Sequence, residues 1–332
     1  MSKLVLIDGN AILHRAYHAL PPLTTRSGEP INAVYGLVSM LLRIIQDLKP
    51  THIVACFDRK EPTFRHKAFK AYQAQRPPTE KDLSSQFEKA KSVLTAMNIP
   101  IFEMAGFEAD DIIGTIAEQS IGISNSEILI SKQIPNPKLQ IPNKRNNTPN
   151  TIHRPQVEEV VIVTGDRDQY QLVNDSVKLY MPVTGLSNAK LMGEEEIIEK
   201  MGVKPEQIPD FKALVGDPSD NYKGVAGIGP KTASDLLIRF GTLKGVYENL
   251  DKIAASVREK LEKDKDNAEL SLKLAKIVTD VLVEFDLKSA GMWRVDDPQV
   301  LALFSQFGFK TLTNRVKEVG KAIVSENQIK LL

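Results

Sequence analysis

The 332-residue sequence predicts an α/β protein, with a mostly parallel central sheet flanked by helices and followed by a smaller helical subdomain. Three observations carry this expectation. Apolar, β-branched runs end in aspartate at Leu4–Ile7 before Asp8, Ile53–Phe57 before Asp58, and Val160–Thr164 before Gly165 and Asp166. That is the pattern of strands buried on both faces of a parallel sheet. Stretches of helical periodicity, such as Val34–Leu48 and Phe87–Met97, lie between the runs, so the order is βαβα. From Glu194 onward the pattern is helical, with Pro and Gly breaks around 205–230 and amphipathic helices through Lys252–Asp280.

Taken in order, residues 1–185 read as the sheet domain and 186–325 as the helical one. In open sheets of this kind, sites form beyond the carboxyl ends of the strands, where all three aspartates sit. The stretch 121–156 is rich in Asn, Pro, Ser and Lys and reads as a flexible insertion, within which Ile128-Leu129-Ile130 could add a short strand.

Composition excludes several classes. No apolar run approaches the ~20 residues that cross a bilayer, and Met1-Ser2-Lys3 leads straight into Leu4–Ile7 without the parts of a signal peptide, so a cytoplasmic location is expected. The single cysteine, Cys56, rules out an internal disulfide or a Cys-rich zinc site, and its apolar neighbours predict a buried thiol. Net charge is only +1, from 43 basic and 42 acidic residues. If nine carboxylates belong to one metal cluster, the other 33 leave a surplus of ten positive charges, which suits a polyanionic partner. Nothing in the sequence demands more than a monomer.

Beyond the strand-end aspartates, acidic residues recur as Glu108-Ala109-Asp110-Asp111, Asp166-Arg167-Asp168 and Asp217-Pro218-Ser219-Asp220. Glu108 and Asp111 are three apart at a helix start and can share a face. Asp166 and Asp168, two apart, share a side if the strand continues through them. Asp217 and Asp220 flank a Pro-Ser turn. Each group alone also fits a plainer role, complementing a helix N-terminus or capping a turn. Together they are too dense to ionise without cations, and only oxygen ligands are on offer, which favours Mg2+ or Mn2+ over zinc. Two such ions are the usual machinery of phosphodiester hydrolysis.

At these residues the sequence resembles the 5′ nuclease domain of bacterial DNA polymerase I, within the flap-endonuclease and PIN-like superfamily. The segments that carry the resemblance are LVLIDGNAILHRAYHAL, GFEADDIIGTIA, VVIVTGDRDQYQLV and LVGDPSDNYKGVAGIGPKTA, in a match from Leu4 to about Val316 apart from the insertion. It implies a two-metal 5′-3′ exonuclease and flap endonuclease acting in DNA replication and repair. The substrates it implies are nicked or branched duplex with a 5′ flap and RNA–DNA primer junctions, with a polymerase on the same longer chain or a separate one. It maps the acidic positions onto Asp8, Asp58, Glu108, Asp110, Asp111, Asp166, Asp168, Asp217 and Asp220.

The same resemblance makes Gly224–Thr232 a helix-hairpin-helix that grips duplex backbone through Gly224, Gly227, Gly229, Lys231 and Thr232, with a potassium ion there. Ala226 replaces a usual proline. Amides at a helix start suit a phosphate on physical grounds as well. The segment 59–76 interleaves Arg59, Lys60, Arg65, Lys67, Lys70 and Arg76 with Phe64, Phe69 and Tyr72, against Glu61 alone. That mixture suits a single strand tracked by charge and stacked on rings, and a solvated helix face would look similar. Arg65, Lys70, Tyr72 and Arg76 are the expected DNA contacts there, with Arg15 after the first aspartate; His14 and Tyr17 beside it are further positioning candidates, and for His14 burial or an ordinary hydrogen bond fits equally. One departure stands out: Gln73 follows Tyr72 where the family usually has lysine. A binding-only module for branched DNA and a PIN-type ribonuclease are the competing readings. The intact acidic set opposes the first, and the length of the chain with its later helix-hairpin-helix opposes the other.

Overall fold

A computed structural model describes residues 2–121, 157–184 and 188–329. The expected insertion at 121–156 lies outside the described residues except for Ile121. Six strands form one sheet: β1 (Lys3–Asp8), β2 (His52–Cys56), β3 (Ile101–Phe102), β4 (Glu159–Val163), β5 (Val177–Thr184) and β6 (Asn188–Met192). Their order is β3-β2-β1-β4-β5-β6, parallel throughout except for the antiparallel β5–β6 pair. The chain moves outward from β1 to β3, then returns to lay β4 against the other side of β1. This reversal opens a crevice beyond the carboxyl ends of β1 and β4. Asp8 ends β1, and Asp166 follows β4 by three residues.

Alternation along the buried strands supplies two cores, one for each face of the sheet. Leu4, Leu6, Val54, Cys56, Val160 and Ile162 point into one cluster with α6 (Ala109–Ser120) and the helical half of the chain. Val5, Ile7, Ile53, Ala55, Val161 and Val163 point into the other, against α1 (Gly9–Ala19), α2 (Asn32–Leu48) and α5 (Phe87–Ala96). Burying each Val, Leu or Ile among them contributes roughly 1.5–3 kcal/mol, so apolar side chains on both faces fix the strands. Between β2 and α5 the chain forms the short helices α3 (Phe64–Ala68) and α4 (Lys81–Ser84). Cys56 is buried, and Trp293 packs against the second cluster.

The division at residue 185 is not where the structure turns. Strand β6 carries the sheet to Met192, because it pairs with β5. The helical half then runs through α7 (Glu194–Met201), α8 (Ile208–Val215), α9 (Pro230–Phe240), α10 (Leu243–Glu248), α11 (Ala255–Lys263) and α12 (Lys265–Ala275). After the four-residue α13 (Leu287–Ala290), α14 (Pro298–Phe307) and α15 (Lys310–Ile329) return to the sheet domain. There Val300, Phe304, Leu312 and Val316 complete the second cluster. Helical structure also stops at Ala275 rather than near Asp280. The strand-like strap that follows gives its amides to α6: Val278 N–H donates to Asp111 (2.9 Å) and Val281 N–H to Thr115 (3.2 Å).

Candidate metal centre and DNA-binding face

A cleft of about 850 Å³ opens at the sheet's reversal point, walled by Asp8, Asp58, Glu108, Asp110, Asp166, Asp168 and Asp220. Local structure aims each carboxylate. Asp8 caps α1, its Oδ1 accepting from Ala11 N–H (2.9 Å) and its Oδ2 from the Thr164 hydroxyl (2.8 Å). Asp58 accepts from Ala109 N–H at the start of α6 (2.7 Å), so the loop after β2 is tied to that helix. Asp110 lies in the first turn of α6. Asp166 and Asp168 do not continue a strand. The chain bends, Asp168 N–H donates to Asp166 (2.8 Å), and a 3₁₀ turn begins at Asp168.

The second acidic group comes from the helical half. Asp217-Pro218-Ser219-Asp220 is a turn closed by a bridge between Asp217 and Tyr222, with Ser219 donating its N–H and hydroxyl to Asp217 (2.8 and 2.5 Å). Oxygens of Asp168, Asp217 and Asp220 lie within 4.8 Å of one another. Lys212 on α8 donates its ammonium to both Asp168 and Asp217 (2.5 Å to the latter). This lysine was not among the expected residues. The one signal for it is a lone cation in the apolar run Ile208–Val215, five positions before Asp217.

The electrostatics are those of a site short of positive charge. Burial pushes Asp8 up to about 7, against the favourable Ala11 amide, and Asp58 and Asp166 add to the rise. Burial likewise raises Glu108 to about 7 despite Arg65, and Asp168 to about 7 despite Lys212. Asp58 and Asp110 are raised by the same desolvation. Asp217 is the exception: burial works against its ionised form, but Lys212 and Ser219 hold it below the usual carboxylate range. Divalent cations would relieve this crowding, and the donor set, all hard carboxylate oxygen, fits Mg2+ or Mn2+.

Four expected contacts take different roles. Asp111 is fully buried and forms no wall of the cleft. Its carboxylate is gripped by both Arg65 amino groups (2.8 and 2.9 Å) and also accepts from Glu108 N–H (3.0 Å) and Val278 N–H. It orients Glu108 and the strap instead of presenting a free face to an ion. Arg65, expected on DNA, is 3% exposed and also donates to the carbonyls of Leu274 and Lys276 (both 2.9 Å). A guanidinium with its donors committed inside the fold is not offered to a phosphate. Tyr72 is buried with Tyr222, Leu274 and Ala275, its hydroxyl within hydrogen-bond reach of Asp220 (3.1 Å) and Glu108 (3.3 Å), so it does not stack on a base. Gly224 is buried where a Cβ would stand 2.4 Å from Gly216 N, so it lets the hairpin pack against the acidic turn.

The remaining contacts sit on the surface or in the cleft. Arg76 is half exposed on the wall, donating to Asp220 (2.6 Å). Gln73 lines the cleft with a positive φ of 55°, and its N–H donates to the Asp220 carbonyl (3.1 Å). Lys70 is exposed outside the cleft, while Arg15 is half-buried on α1 and does not line it. Half-buried His14 does, edge-on to Phe87. At the hairpin, Gly227, Gly229 and Lys231 are exposed and Thr232 is half-buried at the start of α9. The hairpin is held from behind, with Ala226 N–H donating to Asp264 (2.8 Å) and Lys260 donating to the Gly227 carbonyl (3.1 Å).

A mostly parallel sheet with a carboxylate-lined cleft at its reversal point and a glycine hairpin alongside defines a nuclease fold, and comparison with known proteins agrees. The chain belongs to the 5′-3′ exonuclease family: the profile of its N-terminal resolvase-like domain matches residues 3–133, and that of its C-terminal SAM fold matches 203–298. DNA polymerase I of Caldicellulosiruptor bescii is 37% identical over 316 residues, 95% of this chain and 33% of that protein. DNA polymerase I of Bacillus subtilis is 36% identical over 317 residues, 95% of this chain and 32% of that protein. The chain thus spans about a third of the length of these curated relatives. Among solved structures, the bacteriophage T5 D15 flap endonuclease, crystallised with DNA and metal ions, matches with a TM-score of 0.61 at 19% identity, covering 96% of this chain and 97% of that one. Flap endonuclease-1 from Methanococcus jannaschii matches at 0.55 with 18% identity, covering 98% and 94%. No described helix is long and apolar enough to cross a membrane.

Proposed function

We propose that this chain is a structure-specific 5′-3′ exonuclease and 5′ flap endonuclease, hydrolysing phosphodiesters of branched or nicked DNA, and of RNA primers on DNA, with two divalent ions. The observation that carries the reading is the convergence, on one cleft, of carboxylates from both halves of the chain. Asp8, Glu108, Asp110 and Asp166, with Asp58 beside them, would hold one Mg2+ or Mn2+ ion, and Asp168, Asp217 and Asp220 the other. Bound there, the ions supply an activated water and Lewis-acid stabilisation of charge on the phosphate.

The chain's own residues do the rest. Arg76 projects a cation into the cleft beside Asp220, where a scissile phosphate would pass. Exposed amides of Gly227 and Gly229, with Lys231 and Thr232 at the start of α9, meet one strand of the duplex backbone. Because Lys260 already occupies the Gly227 carbonyl, a hairpin potassium ion would draw on neighbouring carbonyls. The reading places the chain beside a polymerase, on the same longer polypeptide or a separate one, working as a monomer on the bacterial nucleoid.

The test is cleavage of a 5′-labelled flap duplex in magnesium buffer, comparing the native chain with Asp166→Asn and with added EDTA. Cutting near the junction, lost in both controls, is the expected result. Tight flap binding without cutting would replace this reading with a binding-only module and point to Gln73.

A further inference from the structure

Gln169 is an uncharged residue placed among the carboxylates, and nothing in the nuclease reading uses it. It follows Asp168 in the 3₁₀ turn and is fully buried. Its side-chain nitrogen donates to Asp8 Oδ2 (3.1 Å) and to Asp110 Oδ1 (2.5 Å). Those carboxylates come from different elements, the end of β1 and the first turn of α6. An amide nitrogen carries two hydrogens, so Nε2 is fully used by this pair. The opposite end, Oε1, is buried with no hydrogen-bond partner among the described residues.

An orphaned acceptor is costly, and it persists here because two ionised carboxylates accept only from the nitrogen end of the amide. Flipping it would set Oε1 against two carboxylate oxygens. The side chain is therefore committed to its nitrogen contacts. Lys212 offers a contrast. It also links two acidic residues, Asp168 and Asp217, but brings a full positive charge. Gln169 links its pair without neutralising either, so the negative charge that attracts a divalent ion remains.

We infer that Gln169 is a positioning residue which clips Asp8 to Asp110 and holds the two carboxylates converged for a divalent ion. The geometry suits an outer-shell partner. With Asp8 Oδ2 taken by Thr164 and Gln169, and Asp8 Oδ1 accepting Ala11 N–H alone among the described residues, Oδ1 keeps a lone pair. Asp110 Oδ2 accepts no hydrogen bond among the described residues. Groups that orient ligand carboxylates in this way typically change metal affinity by about 10- to 100-fold when removed.

The inference rests on the metal-centre reading, and the experiment separates the two. Mn2+ binding to the metal-free full chain is measured by electron paramagnetic resonance for the native protein, Gln169→Met and Gln169→Asn. The apolar replacement has no donor, and the shorter amide cannot span both carboxylates. The expected result is Mn2+ affinity about 10- to 100-fold weaker in both variants. Metal-free melting temperatures stay within a few degrees of the native value. The Mg2+ concentration for half-maximal flap cleavage rises by a similar factor, with kcat recovered at saturating Mg2+, a shift that a purely structural role would not produce. Should Gln169→Met not fold, the asparagine variant decides alone. Native-like Mn2+ affinity in either folded variant overturns the inference and leaves the metal centre standing. A native chain that binds no Mn2+ overturns both.

Discussion

Replacing Arg65 with alanine tests whether the most basic-looking part of the sequence touches DNA or holds the fold together. The guanidinium forms a two-pronged pair with Asp111 at 2.8 and 2.9 Å, approaches Glu108 at 3.4 Å, and donates to the Leu274 and Lys276 carbonyls. Asp111 is fully buried, so truncation strands a carboxylate in the interior. Breaking a buried pair from one side costs about 3–5 kcal/mol. For 332 residues the unfolding entropy near the midpoint is roughly 0.7 kcal/mol/K, so the melting temperature falls by about 4–7 °C. Scanning calorimetry in EDTA measures it, with duplex binding followed on the same preparation. Arg65→Lys recovers only part of the loss, because an ammonium cannot reproduce the fork. A melting temperature within 1 °C of native, together with a large drop in DNA affinity, would refute this reasoning and return Arg65 to the DNA path.

Raised carboxyls make metal stabilisation depend on pH. Asp8, Glu108 and Asp168 lie near 7 in the folded, metal-free chain against roughly 4 unfolded, so their contribution is fully present below about pH 4 and lost as pH rises through 7. The gain in melting temperature from Mg2+ over EDTA therefore grows between about pH 5 and 8, and a pH-independent gain would contradict the assignment. At the hairpin, Gly224→Ala meets Gly216 N at 2.4 Å with φ at +62° and is expected to melt several degrees lower. Gly229→Ala has open space around its Cβ and melts like the native chain. Equal melting of the two would remove the close packing of hairpin on acidic turn. Restoring lysine with Gln73→Lys is expected to raise single-turnover flap cleavage roughly tenfold, since a cation joins Arg76 where charge develops. An unchanged rate would mean that Arg76 already suffices.

Periodicity and composition by themselves determined the α/β class and the three central strands, and marked the acidic groups, of whose nine carboxylates seven line one cleft. Those signals are local: a strand buried on both faces needs an unbroken β-branched run, and a strand-end aspartate follows it directly. Tertiary structure decided which carboxylates face the cleft. Asp110 and Asp111 are neighbours in sequence, yet one lines the cleft and the other is sealed beneath Arg65, because successive helix positions point about 100° apart. The strap at 276–278 and Arg65 then claim the second. Charge and aromatic content likewise marked Arg65 and Tyr72 as surface contacts, since composition does not say which side of a short helix meets a core. Lys212 and Gln169 were illegible for a related reason: an ammonium and an amide take their meaning from the carboxylates beside them, and those arrive from positions as far as 161 residues away. Long-range contacts of that kind exist only once β4 has returned beside β1 and the helical half has folded over the strand ends.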